Sequence, residues 1–192
     1  MIELRFSESE RARVGALYWS AFGRKLRVAF PDAASGQAFV TENLRADRTL
    51  VARIDGKVAG ICGFHESGHG AAELSWRALQ KRFGTRTAIR ALIALAPLSR
   101  SEKDGILVLD GICVGSEQRG KGIGTALLAA AEAHAATRGD REVQLSVVDT
   151  NPRAEVLYRR LGYRVVDEGS IGGLGSLYGF RHYRTMRKRV GR

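Results

Sequence analysis

Apolar and polar residues along this chain follow two periods, and the switches between them mark the elements. Ile2-Glu3-Leu4-Arg5-Phe6 alternates with period two and reads as an edge strand. Ser7 with Glu10 forms a capping box opening a helix to about Phe22, and a second helix is expected over Ala34 to Leu44. Thr49 to Ile54 and Val58 to Phe64 are strands joined by Asp55-Gly56-Lys57, a hairpin signal. A long connection, Ser67 to Lys103, carries helical periodicity around Leu74 to Phe83 and Thr87 to Leu95. Ile106 to Val114 reads as a strand, Ala126 to Ala136 as an Ala/Leu-rich helix, Val143 to Val148 as a strand, and Asn151 to Leu161 as a helix. Strands near Tyr163 to Val166 and Phe180 to Lys188 close the chain around a Gly-rich stretch, Gly169 to Gly179. This order predicts an α/β fold, and no repeat or linker divides residues 1–192, so a single domain is expected.

The most informative segment is Arg119-Gly120-Lys121-Gly122-Ile123-Gly124-Thr125, between a strand and a helix. A Gly-rich turn there leaves backbone N–H groups unpaired at the positive end of the helix dipole, a site for phosphate or pyrophosphate. Read from Gly115, GSEQRGKG follows the P-loop as far as Lys121, but Gly122 stands where the Mg²⁺-holding Ser or Thr belongs. The dinucleotide pattern G-x-G-x-x-G fails as well, because Thr125 stands at its third glycine. The bland alternative is glycine used only for close packing. What fits is [RQ]-x-x-G-x-[GA], through Arg119, Gly122 and Gly124.

A second signature lies downstream. Asn151, Ala154, Leu157, Tyr158, Gly162 and Tyr163 follow N-x-x-A-x-x-L-Y-x-x-x-G-[FY], with Pro152 suited to a first helical turn and Gly162 to a left-handed helix end. Leu157 and Leu161 also suit the apolar face of an amphipathic helix. The two motifs, in this order and spacing, resemble the acyl-CoA site of the GNAT superfamily of N-acetyltransferases. The resemblance covers Leu107 to Tyr163 by motif, and the rest by element order.

That resemblance implies a mixed, mostly antiparallel twisted sheet of about seven strands flanked by helices. It would be splayed between the fourth and fifth strands, with a helical insertion between the third and fourth. It implies acetyl-CoA as cosubstrate, with pantetheine along Ile112, Cys113 and Val114 and pyrophosphate on the backbone from Arg119 to Thr125, that is Arg119, Gly120, Lys121, Gly122, Ile123, Gly124 and Thr125. Asn151, Arg153 and Ala154 would flank the cofactor's other side, the Val114 N–H would polarise the thioester carbonyl, and Tyr158 would protonate the departing thiolate. The expected activity is direct acetyl transfer to a primary amine of a small molecule or protein within a ternary complex. Ser67 to Lys103 and Gly169 to Gly179 would border the acceptor. The resemblance also admits a homodimer. An acetyl-CoA-binding sensor without transferase activity is the alternative.

Acetyl transfer needs a neutral amine, and alkyl amines have pKa values near that of Lys, about 10.4, so a base must take a proton. Asp110 is the expected base. It interrupts an apolar run, Ile106-Leu107-Val108-Leu109, and period two places it on the face of Val114. A buried Asp satisfied by backbone or arginine is the competing reading, and Glu66 is the reserve base. His65-Glu66-Ser67-Gly68-His69 also matches H-E-x-x-H, the remote reading of a zinc hydrolase. That motif needs a helix, and Gly68 and Gly70 oppose one, so no metal is expected.

Composition adds limits. Cys62 and Cys113 fall inside strands and read as free thiols of a reducing, cytoplasmic protein. The longest apolar stretch, Ala88 to Leu98, contains Arg90 and is too short for a bilayer, so no membrane association is expected. The net charge is +11, concentrated in an acid-free Arg181 to Arg192. Without aromatic interleaving of the kind that stacks on bases, this segment reads as a charged, protected edge strand more than as a nucleic-acid contact.

Overall fold

The computed structural model describes residues 1–98 and 102–191. Residues 99–101, part of the Ser67–Lys103 connection, and residue 192 lie outside the described residues. Seven strands form one sheet: β1 (Ile2–Leu4), β2 (Thr49–Ile54), β3 (Lys57–Phe64), β4 (Ile106–Val114), β5 (Glu142–Val148), β6 (Arg164–Ser170) and β7 (His182–Arg189), in the order β1-β2-β3-β4-β5-β7-β6. Only β4 and β5 pair in parallel; the other neighbours are antiparallel. The β2–β3 hairpin turns on Asp55 and Gly56, with φ of 50° and 71°, the positive values a two-residue turn needs.

Helices cover both faces. On one lie α1 (Arg11–Leu26), α2 (Ala33–Glu42), α3 (Trp76–Phe83) and α4 (Thr85–Leu95), packed over Val51, Val58, Ile61 and Cys113. On the other, α5 (Ile123–Arg138) presents Leu127, Leu128, Ala131 and Ala135 to Leu107, Leu109, Val143 and Leu145. The helix α6 (Pro152–Arg160) follows β5, and a short α7 (Gly175–Tyr178) sits in the Gly-rich final loop. The Tyr178 hydroxyl ties α7 to α4 by donating to the Ala94 carbonyl at 2.5 Å. The expected insertion is thus present as α3 and α4, while β6 extends to Ser170, into the stretch the sequence assigns to loop. Both cysteines are buried and free, and Cys113 is pushed up to about 11, chiefly by burial. No described helix is long and apolar enough to cross a membrane.

The basic C-terminal strand differs from expectation. It lies between β5 and β6, not at an edge. Its cations meet acids of neighbouring elements: Arg184 pairs with Glu155 and Glu168 at 2.7 and 2.8 Å, Arg187 with Glu142 at 3.3 Å, and Lys188 with Glu132 at 2.7 Å. Those acids lie far away in sequence, so the segment looks uncompensated only when read by itself.

Two irregularities position the site. The β4–β5 ladder runs only from Ile106↔Glu142 to Val108↔Gln144, so beyond Val108 the two strands part. On its other side β4 stays paired with β3, but Gly63↔Gly111 is followed by Phe64↔Leu109, which leaves Asp110 as the extra residue of a β-bulge.

Candidate active site

The parted strands leave backbone groups facing the gap. Gly115 N–H donates to Ala59 O at 2.9 Å, and antiparallel ladders alternate, so Cys113 and Gly111 bond to β3. The amides of Ile112 and Val114 therefore face β5 across the opening. Arg119 Nε donates to the Val114 carbonyl at 3.3 Å from that side. Cys113, expected to line the cofactor, turns away: its thiol donates to Leu17 O at 2.8 Å.

The glycine turn closes one end of this gap. Gly120 and Gly122 both have φ of 78°, and a Cβ on either would meet nothing within 4 Å, so their backbone is open to approach. The first hydrogen bond of α5 runs from Ala126 N–H to Gly122 O, which leaves the amides of Ile123, Gly124 and Thr125 ahead of the helix ladder. A Cβ on Gly124 would lie 3.7 Å from Leu157 and 4.0 Å from Val114, ordinary contacts, so packing alone does not demand glycine there.

The second motif folds beside the first. Asn151 is the N-cap of α6, its side chain accepting from Ala154 N–H at 3.3 Å, and Pro152 occupies the first turn. At the far end Gly162 has φ of 91° and Tyr163 N–H donates to Tyr158 O at 3.0 Å, the six-residue bond of a Schellman motif. Tyr158 packs with Leu157 and Val114 on the α5 side of the sheet, its ring 6.1 Å from that of Tyr163. The two phenols differ. Burial raises the Tyr163 pKa above the usual range, and its hydroxyl is committed to Glu132 at 3.0 Å.

Asp110 lies on the opposite face. The bulge breaks the period-two count: the Val114 side chain packs toward α5, while Asp110 lines a cavity under α1 and the insertion. Its carboxylate contacts His65 Nε2 and accepts from Ala71 N–H at 2.5 Å. Room for it comes from glycine, since a Cβ on Gly70 would meet Asp110 Oδ2 at 2.7 Å. The side chains of His65 and Asp110 keep 17% and 11% exposure, enough to be reached from the cavity and little enough to be held.

The other candidate groups are disposed differently. Glu66, the reserve base, is held by Arg48 at 2.7 Å and by Arg138, and does not line the cavity. His65 to His69 forms no helix: Glu66 and His69 pair around a tight turn at Ser67 and Gly68, with φ of 55° and 77°. His65 is turned to Asp110 and Glu66 to two arginines, so the geometry of a zinc-binding helix is absent.

Comparison with known proteins places the chain in a family. The model of the acetyltransferase (GNAT) family matches residues 12–163. The chain belongs to the GNAT acetyltransferase family. No curated protein matches the chain. Among solved structures, one described as an acetyltransferase is 20% identical with a TM-score of 0.66, each chain covered in full. An N-acetyltransferase from Staphylococcus aureus Mu50 is 17% identical, with TM-score 0.65 and coverage of 98% of this chain and 100% of that one. A ribosomal-protein-alanine N-acetyltransferase from Brucella melitensis is 18% identical, with TM-score 0.61 and coverage of 98% and 99%. At these identities the likeness is one of fold.

GNAT enzymes use acetyl-CoA as cosubstrate, and the residues present fit it. The gap-facing amides of Ile112 and Val114 suit an extended amide-bearing arm, and the open backbone at Gly120 and Gly122 suits a pyrophosphate. His65 is the functional candidate that sequence reading missed, having weighed it only as a metal ligand. Its signal was its place just past the end of β3, beside the strand carrying Asp110.

Proposed function

We propose that the chain transfers an acetyl group from acetyl-CoA directly to a primary amine within a ternary complex. The observation that carries this reading is the His65–Asp110 pair, set in a cavity on one side of β4, while the glycine turn and Tyr158 lie on the other. Between them β4 and β5 cease to pair beyond Val108.

Each residue has a task that the reaction needs. Acetyl-CoA supplies an activated acyl group. His65, oriented by Asp110, takes the proton an amine must lose as its nitrogen forms the new bond. The Val114 N–H, facing the gap, donates to the acyl oxygen where negative charge develops. Tyr158 returns a proton to the departing sulfur, since Tyr163 is engaged with Glu132. Ile112 and the turn from Arg119 to Thr125 hold the cosubstrate, and Arg153, exposed on the first turn of α6, adds a cation near it.

Steady-state kinetics across an amine panel, with thiol release as readout, test this reading. Intersecting double-reciprocal lines and loss of turnover in Asp110→Asn are expected. Parallel lines with an isolable acetylated protein would replace direct transfer by a two-step route. Tight acetyl-CoA binding without thiol release from any amine would leave a sensor.

A further inference from the structure

The cavity beside Asp110 restricts which amine can be acetylated, a point that rests on the acetyl-transfer reading above. It encloses about 690 Å³, room for an acceptor of drug-like size. Its wall nearest the bulge is aromatic. The Phe22 ring lies so close over Gly111 that a Cβ there would meet Phe22 Cζ at 2.2 Å, and Tyr18 packs on Phe22 with centroids 4.8 Å apart. Phe180 lines another side, and the insertion contributes Leu92, Leu95 and Leu98.

The charges in this cavity are mixed, with Asp110 engaged by His65, Glu73 paired with Arg45 at 3.1 Å, and Asp167 contributed by β6. Lys25 and Lys103 line the same space, and the Lys25 Nζ stands 5.0 Å from the centre of the Phe180 ring. An acceptor with several ammonium groups would bring its second charge toward these lysines and into a chain of net charge +11. An apolar body would instead meet Phe22, Phe180 and the leucines.

We infer that the acceptor is a small monoamine carrying an aryl or branched-alkyl body, its amine directed to His65 and Asp110 and its body held by Phe22 and Leu92. Specificity then comes from the insertion and α1, and proton abstraction from His65, just past β3, with Asp110 of β4.

The test compares 4-phenylbutylamine with spermidine, using the full chain, acetyl-CoA and thiol release, with calorimetry of acetyl-CoA binding alongside. The expected kcat/KM ratio favours 4-phenylbutylamine by about tenfold or more. Leu92→Glu, at a position 36% exposed, should cut that ratio about tenfold by raising KM for the aryl amine, and Leu92→Ala should do so less. Ile93→Glu, one residue on, 69% exposed and outside the cavity lining, should leave the ratio unchanged. Equal or greater efficiency with spermidine, or a ratio untouched by Leu92→Glu, overturns this inference and leaves acetyl transfer standing. Thiol release from neither of these amines but from another amine of the panel overturns this inference alone, and release from no amine of the panel while acetyl-CoA binds overturns the acetyl-transfer reading with it.

Discussion

Asp110 reaches His65 because it is the residue that β4 has and β3 lacks. Gly63 opposes Gly111 and Phe64 opposes Leu109, so the carboxylate between them leaves the ladder and meets the imidazole beyond the end of β3. A strand without the bulge would send residue 110 to the α5 side, with Val114. The pair is thus a product of backbone irregularity, braced by Ala71 N–H and by the space at Gly70.

If the two residues act as one base, their losses will not add. Asp110→Asn and His65→Gln should each lower kcat by about 10²-fold, and the double variant should fall little further. Acetyl-CoA affinity, read by calorimetry, should stay near wild type in all three. Multiplicative losses, or normal turnover in either single variant, would remove the pair from the proton-transfer step.

Variants of the two neighbouring phenols test whether catalysis and stability reside in different hydroxyls. Tyr158→Phe should lower kcat by about 10²-fold with little change in Tm. Tyr163→Phe should keep turnover but lose about 1–2 kcal/mol in urea unfolding, since its hydroxyl bonds the Glu132 carboxylate at 3.0 Å. The reverse pattern would assign the acid to Tyr163.

Glycines at the two ends of α5 provide a matched control for the role proposed for the glycine turn. Gly122 and Gly139 have φ of 78° and 84°, and a Cβ on either would find nothing within 4 Å. Alanine at each should therefore cost a similar 1–2 kcal/mol, roughly the penalty for a left-handed L-residue. Only Gly122→Ala should also weaken acetyl-CoA binding, by about tenfold or more. Equal affinity in the two variants would show that the turn is a packing feature.

Acid stability should report on Glu10. Its carboxyl is held at about 2, below the ordinary 4.5, first by hydrogen bonding from Arg53 and against the opposing effect of burial. The folded value is the lower one, so the stabilisation is complete above about 4.5 and is lost as pH falls from there toward 2. Glu10→Gln should lose about 1–2 kcal/mol at neutral pH, a modest amount because water still screens the pair. It should also flatten the decline in urea midpoint between pH 5 and pH 2. An unaltered slope would place that decline in other carboxylates.

The elements that local sequence controls were legible, and those that depend on distant partners were not. β2 and β4 keep the bounds read from the sequence, and Gly162 takes the left-handed geometry its helix end implies. The face of Asp110 could not be counted from Val114, because a bulge is set by pairing with β3 and by Gly63 and Gly70. Glu66 looked available until Arg48 and Arg138 were brought against it from other elements. The acid-free C-terminal strand looked peripheral, yet its neighbours in the sheet and on α5 and α6 supply the acids.

The short β4–β5 ladder makes the sheet two leaves bound along one edge of a common spine. Strands β1 to β4 belong to one leaf, and β5, β7 and β6 to the other, joined by the ladder from Ile106 to Val108. A molecule lodged between the leaves would bond to both and act as a clasp. Backbone amide exchange at Ile112 and Val114 would slow when the clasp is in place, while exchange at Cys113, already shielded by β3, would barely change.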